Sequence, residues 1–84
     1  MSRQEKKDPL IVTQFCVRFF RRDNADPPVE DYFYWEREDA EFHFSQFKGV
    51  DDPDFPKMYE KIQLISIYNH LHVVSDEIVF PSVE

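Results

Sequence analysis

The 84-residue sequence is poor in glycine and contains only Gly49. Phosphate-cradling loops, nucleotide-binding turns and nucleophile elbows need several glycines, because their backbone must approach a ligand closely or take positive φ. The scarcity argues against most classes of nucleotide-binding enzyme. The one glycine has a structural explanation instead, since it follows Lys48 at the end of a predicted helix, where a left-handed residue is favoured.

Cysteine and long apolar runs are also scarce. Cys16 is the one cysteine, so no intramolecular disulfide can form. No positively charged segment is followed by an apolar one, so no signal peptide is predicted. The longest apolar runs fall far short of the roughly 20 residues that a membrane-spanning helix needs. These features predict a cytoplasmic protein with no membrane contact.

Basic charge is scarce after the first 22 residues. Residues 1–22 carry six Lys/Arg against two Asp/Glu, residues 23–60 carry three against twelve, and residues 61–84 carry one against three. The formal net charge of the whole chain is −7. Because the acidic middle would repel phosphates, nucleic acid is not the expected partner.

Aromatic residues are abundant, at 17% of the sequence with nine Phe, and can supply a core. A chain of 84 residues supports one domain, which buries roughly 60% of the surface of its unfolded state. We predict this α+β domain over residues 10–81, with a flexible arm at 1–9 and a C-terminal tail at 82–84.

Alternating side chains of β-branched and aromatic type predict strands. In the first strand, Phe15, Val17 and Phe19 lie on the predicted core face, preceded by Ile11 and Thr13. Four such strands are predicted, over 10–21, 31–37, 58–68 and 71–80, with a tight turn at 69–70 and a bend near 75–77.

A helical period replaces this alternation over residues 38–48. Ala40, Phe44 and Phe47 share one predicted helix face, with Asp39 as the predicted N-cap and Phe42 on the opposite side. The order β-β-α-β-β predicts a small α+β domain, an antiparallel sheet with one helix packed on one face.

A single helix of about three turns cannot cover both faces of four strands. The uncovered face is predicted to carry Phe20, Tyr32, Tyr34, Arg18, Ile65 and Ile67. So much apolar surface is more than a monomer normally exposes. We therefore predict a non-enzymatic protein-interaction domain, a homodimer or a binder of another protein, that associates through this aromatic sheet face.

The acidic segment 23–60 supports an alternative function. Small proteins that space carboxylates like phosphates can occupy the nucleic-acid channel of a basic partner. In size and charge the chain resembles phage-encoded inhibitors of nucleases and polymerases, which implies an inhibitor of phage or mobile-element type. Surface solubility accounts for the same carboxylates without any partner.

The arginines near the predicted aromatic face also have two interpretations. Arg18, Arg21 and Arg22 could accompany base stacking on a single-stranded nucleic acid. Alternatively, they pair with nearby acids such as Glu30 and Asp31, or with Glu36, at a protein interface.

No catalytic, metal or cofactor site is predicted. His70 and His72 would share a strand face, but tetrahedral zinc needs three or four ligands, so whether the pair binds a metal stays open. Cys16 lies in mid-strand and is expected to be a buried small hydrophobic residue. The carboxylates at the helix start are explained by their favourable interaction with the helix dipole.

Overall fold

The fold comprises four strands and two helices, seen in a computed structural model that describes residues 14–23 and 26–81. In chain order these elements are β1 (Gln14–Arg21), β2 (Val29–Tyr34), α1 (Arg37–Ser45), α2 (Phe55–Met58), β3 (Tyr59–Tyr68) and β4 (Leu71–Val79). The predicted arm at 1–9, the predicted strand start at 10–13 and the predicted tail at 82–84 lie outside the described residues.

The four strands form one antiparallel sheet in the order β2-β1-β3-β4, so that β2 and β4 are its edges. Helix α1 follows β2 in the chain and contacts β1, β2 and β3 on one side of the sheet. The predicted α+β architecture, an antiparallel sheet with one helix packed on one face, is thereby confirmed.

The main core lies between the sheet and α1, on the side that we call the helix side. Phe15, Val17 and Phe19 are buried there, as the alternation in β1 predicted. Buried partners come from α1, β3 and the residue after β4, namely Ala40, Phe44, Ile62, Leu64 and Phe80. Burying one large apolar side chain is worth about 1.5–3 kcal/mol, so this cluster holds α1 firmly on the sheet.

The opposite side of the sheet, which we call the far face, has a small buried cluster of its own. Cys16, Ile65 and Ile67 expose at most 7% of their surface. The strand register places Phe33, Cys16, Ile65 and Val74 in one row across all four strands. The two ends of this row, Phe33 and Val74, are about half exposed. The centre of the far face is therefore buried, and its apolar exposure lies at the edges.

The register of β2 corrects the predicted placement of two tyrosines. Tyr32 pairs with Val17 and Tyr34 pairs with Phe15. Residues directly opposite each other in an antiparallel pair point to the same side of the sheet. Both tyrosines therefore lie on the helix side, whereas we predicted them on the uncovered face, and Phe33 takes the far side instead.

Helix α1 starts differently from the prediction. Its N-cap is Glu36, which makes no side-chain capping bond, and the predicted cap Asp39 lies in the first turn. Asp39 and its neighbour Glu38 still interact favourably with the positive end of the helix dipole. The helix ends at Ser45, and the turn that follows reaches Gly49, whose φ of 72° confirms the predicted left-handed position.

Strand β4 contains the predicted bend. The pairing of β3 with β4 shifts between Leu64 and Ile65, and this shift leaves Ser75 as the extra residue of a β-bulge. The Ser75 hydroxyl lies 2.8 Å from the hydroxyl of Ser66, the one polar side chain that is buried in the described part of the chain. The bulge thus provides a hydrogen-bond partner for Ser66.

The short helix α2 was not predicted, because Pro53 and Pro56 indicated an irregular connection. Pro56 lies in the first turn of α2, where a backbone N–H has no partner within the helix, so proline is tolerated. Neither α1 nor α2 has the length and apolar character that would let it cross a membrane, and the described residues contain no other helix.

Candidate interaction surface and the Tyr34–His43 groove

The structure separates the six residues that were predicted to form one surface. The two tyrosines lie on the helix side. Arg18 and Phe20 lie on the far face and are half-buried, and the ammonium group of Lys61 lies 4.8 Å from the centre of the Phe20 ring. Ile65 and Ile67 also belong to the far face, but they are buried and present little surface to a partner.

The arginines on and beside β1 are bound within the chain. Arg18 donates two hydrogen bonds to the Asp31 carboxylate, at 2.7 and 3.1 Å, and the bond to Asp31 is the main reason that the pKa of Arg18 is raised. Arg21 lies 3.6 Å from a carboxylate oxygen of Glu30. Arg22 donates to two backbone carbonyls. Of the two interpretations of these arginines, the pairing with Glu30 and Asp31 is the one observed.

Exposed aromatic side chains gather around β2. In the part of the chain that the structure describes, four aromatic residues are largely exposed: Tyr32 (44%), Phe33 (52%), Trp35 (76%) and Phe42 (68%). Three of them belong to β2 or follow it directly, and we call Tyr32, Phe33 and Trp35 the aromatic edge. By contrast, the exposed large apolar side chains of the other edge strand are all aliphatic: Leu71, Val73, Val74 and Val79.

The backbone of β2 has a free hydrogen-bonding edge. Among the described strands, β2 pairs only with β1. The N–H of Arg21 donates to the carbonyl of Pro28, and hydrogen-bonded pairs recur at every second residue of an antiparallel ladder. The backbone groups of Val29, Asp31 and Phe33 therefore point away from β1. Phe33 combines an outward-facing backbone with an exposed ring.

A groove of about 320 Å³ lies between α1 and β2. Tyr34 contributes one wall, and the other comes from one stripe of α1 and its C-cap: Asp39, Phe42, His43 and Gln46. The spacing of these four residues puts them on one helix face. Among the described residues that line this groove, Asp39 is the only carboxylate, and none is a lysine or arginine.

His43 and Tyr34 form the polar centre of the groove. The Tyr34 hydroxyl lies 2.7 Å from Nδ1 of His43. Rings of Phe19, Tyr32 and Phe47 also contact the imidazole, with centroids 5.2–5.7 Å away. Burial lowers the pKa of His43 below its ordinary value of 6.5. The imidazole is therefore neutral at pH 7, with one donor and one acceptor nitrogen.

The Tyr34 hydroxyl and the His43 imidazole are the pair of groups in this groove that lie within hydrogen-bond reach of each other. A histidine acting as general base must lie within hydrogen-bond reach of the group that it deprotonates. The one hydroxyl among the described lining residues is that of Tyr34, and it lies 2.7 Å from Nδ1 of His43. The described lining thus consists of two aromatic rings, one carboxylate, one amide and the imidazole of His43.

The other candidate chemical residues lie outside the groove. Cys16 is fully buried, as expected from the sequence, and burial raises the pKa of its thiol to about 11. His70 and His72 are exposed at the turn and start of β4. No group of three His, Cys, Asp or Glu side chains that could hold a metal ion occurs among residues 14–23 and 26–81.

Sequence reasoning missed the groove, although two signals for it were present. In the sequence, His43 lies beside the apolar stripe of the predicted helix, and Phe42 is an aromatic residue on the side opposite that stripe. The contact with Tyr34 could not be predicted, because Tyr34 was placed on the opposite face of the sheet. Comparisons with protein-family models, with curated proteins and with solved structures find no match to this chain.

Proposed function

We propose that this protein is a non-enzymatic protein-interaction domain that associates with a second copy of itself through β2. The observation that supports this proposal is that the free backbone edge of β2, at Val29, Asp31 and Phe33, lies beside three exposed aromatic side chains, Tyr32, Phe33 and Trp35. A free strand edge is a template for pairing with another strand. Large rings beside it would add buried apolar area on association.

A second copy suits this edge for reasons of symmetry and charge. Two β2 strands related by a twofold axis would run antiparallel and offer each other the same donors and acceptors. A net charge of −7 on each chain opposes association in general. On β2, however, Asp31 is paired with Arg18 and Glu30 lies close to Arg21, so its two carboxylates are compensated locally.

The other edge strand is less suited to pairing. β4 is interrupted by the bulge at Ser75 and carries Asp76 and Glu77 directly after it. Bulges and charged side chains are the features by which edge strands avoid pairing with other chains. The difference between the two edges favours β2 as the interface.

The test compares one substitution on each edge. Phe33→Lys and Val74→Lys place the same charge at opposite ends of one cross-strand row, at residues that are both about half exposed. Sedimentation equilibrium over a wide concentration range should show a dimer of the wild-type chain. Phe33→Lys should raise the dissociation constant by at least about tenfold, as expected for an aromatic residue at the centre of an interface, and Val74→Lys should leave it unchanged.

Two outcomes would contradict the proposal. If the wild-type chain stays monomeric at all concentrations, self-association is ruled out. If Val74→Lys raises the dissociation constant as much as Phe33→Lys does, the interface does not lie at β2. Circular dichroism of both variants establishes that any loss of association is not a loss of folding.

An inhibitor of a nucleic-acid-binding protein remains the alternative function, favoured by the exposure of the acidic side chains of α1 and the following loop: Glu38, Asp39, Glu41, Asp51, Asp52 and Asp54. This function requires a basic partner whose binding weakens steeply with salt and is displaced by DNA. Pairing through a neutralised strand edge depends only weakly on salt, so a salt series separates the two functions.

A further inference from the structure

We infer that the groove between α1 and β2 is a binding site for an arginine side chain of a partner protein. The site is separate from the aromatic edge and does not depend on self-association. It is formed by a stripe of α1 facing Tyr34, and four features indicate the ligand: an exposed ring, an unpaired carboxylate, the absence of a cationic side chain among the described lining residues, and a small volume.

The exposed ring is that of Phe42, which does not belong to either buried cluster of the described residues. It is 68% exposed, lies between Glu41 and His43 on α1, and makes no ring or cation–π contact with any described residue. On the other side of the groove, the Tyr34 ring is held in place by the bond from its hydroxyl to His43. A cation between such rings gains cation–π energy, and the planar guanidinium group can also stack on a ring face.

The unpaired carboxylate is that of Asp39. Among the described residues no lysine, arginine or histidine forms an ion pair with it. A guanidinium group presents a fork of N–H donors that matches a carboxylate with two parallel hydrogen bonds. Gln46, at the end of the same stripe, adds an amide oxygen that can accept a further bond.

The lining also excludes other classes of ligand. A phosphate or carboxylate group would meet Asp39, and no described lining residue is a cation that could offset the repulsion. A purely apolar ligand would bury the Asp39 carboxylate without a partner, which is costly. A lysine ammonium group would satisfy the charge, but it cannot stack on Phe42 as a planar group does. An arginine side chain can stack on the Phe42 ring and donate hydrogen bonds to the Asp39 carboxylate at the same time.

The size of the groove favours a single side chain over a cofactor. Its volume of about 320 Å³ lies at the lower end of the range for small-molecule sites, roughly 300–1,000 Å³. Because Asp39 and Gln46 lie two helical turns apart on one face, the groove follows α1, and a bound polypeptide could lie along it. The carboxylates at Glu38 and Glu41 would attract a basic segment toward it.

The test is a titration of the ¹⁵N-labelled full chain with a blocked Gly-Gly-Arg-Gly-Gly peptide, followed by amide chemical shifts. We expect saturable shifts concentrated at Tyr34 and along the α1 stripe, with a dissociation constant on the order of millimolar for so small a probe. The same peptide with citrulline in place of arginine keeps the shape and loses the charge. It should bind at least about tenfold more weakly.

Matched variants locate the site on the helix. Asp39→Asn and Glu41→Gln remove the same charge from α1, but only Asp39 lines the groove. We expect Asp39→Asn to weaken binding by about fivefold to tenfold and Glu41→Gln by less than about twofold. Phe42→Ala should weaken binding by a similar factor, while Phe33→Ala on the aromatic edge should not.

The inference is wrong if the shifts do not saturate, if the citrulline peptide binds equally well, or if Glu41→Gln weakens binding as much as Asp39→Asn. Equal effects of the two charge variants would mean that general attraction to an acidic helix, and not a formed site, is responsible. Sedimentation equilibrium tests self-association through β2, and the titration tests arginine binding in the groove. Either proposal can therefore be contradicted while the other is supported.

Discussion

The hydroxyl of Tyr34 and Nδ1 of His43 lie 2.7 Å apart and join the end of an edge strand to the middle of a helix. Strand β2 is bonded to the sheet along one side only, so its last residue would otherwise depend on the ladder with β1 alone. The contact with α1 fixes Tyr34 in a half-buried position and defines one wall of the groove. It thus links the stability of the edge strand to the geometry of the proposed arginine site.

Removal of the Tyr34 hydroxyl should measurably lower the stability of the fold. In Tyr34→Phe the half-buried imidazole loses its hydrogen-bond partner, and we expect the free energy of unfolding to fall by about 1 kcal/mol. Tyr32→Phe is the matched control, because the hydroxyl of Tyr32 makes only a long, exposed contact of 3.4 Å with Glu30. The free energy of unfolding of Tyr32→Phe should differ from that of the wild type by less than about 0.5 kcal/mol.

Urea denaturation gives both values, provided that the slope of free energy against urea concentration is the same in all three proteins. Equal losses in the two phenylalanine variants would mean that the bond between Tyr34 and His43 does not contribute specifically to stability.

Acid should destabilise the chain through His43. Burial lowers the pKa of His43 in the folded chain below the ordinary value of 6.5, so the unfolded chain binds a proton more readily. The contribution of the neutral imidazole is complete above about pH 6.5 and is lost as the pH falls toward the folded pKa and below it. We therefore expect the free energy of unfolding to decrease as the pH falls below about 6.5.

His43→Gln should flatten this part of the pH profile, whereas His72→Gln, at an exposed position of β4, should leave it unchanged. Asp76 acts in a different pH range. Backbone and side-chain hydrogen bonds from Glu77 and Lys48 lower the pKa of Asp76 below 3.8, so its contribution is lost only in stronger acid. If the free energy of unfolding of His43→Gln still falls just below about pH 6.5, the effect belongs to another group.

The central strands could be predicted well because their alternation has one interpretation. In β1 the residues Phe15, Val17 and Phe19 form an unbroken apolar series, and their neighbours Gln14 and Arg18 are polar. Strand β2 is different, since Tyr32 and Tyr34 alternate with Phe33 and both sets are aromatic. Period two then shows which residues share a face, but only the long-range register with β1 determines which face meets the helix.

The groove depends on contacts that a local pattern does not encode. The spacing of Asp39, Phe42 and His43 shows that they can share a helix stripe, but not what lies opposite them. The helix start was also ambiguous, because acidic residues occupy four of the six positions from Glu36 to Glu41 and each could serve as a cap or as a first-turn charge.

The thiol of Cys16 should be inert while the chain is folded. It lies in the buried centre of the far face, and burial raises the pKa of its thiol to about 11. Since the thiolate is the reactive species, at about pH 8 only about one molecule in a thousand would be reactive even if the reagent had free access. We expect modification by a disulfide reagent to be at least about 100-fold slower in the native chain than in urea.

The dependence of the modification rate on protein concentration shows whether Cys16 is protected by its own chain or by association with a second copy. The neighbours that bury Cys16 belong to the same chain, with Ile65 directly opposite on β3 and Phe33 opposite on β2. The slow rate should therefore be the same in dilute solution, where any dimer has dissociated, as in concentrated solution. A rate that rises on dilution would mean that association covers the centre of the far face. The interface would then include that face as well as the outer edge of β2.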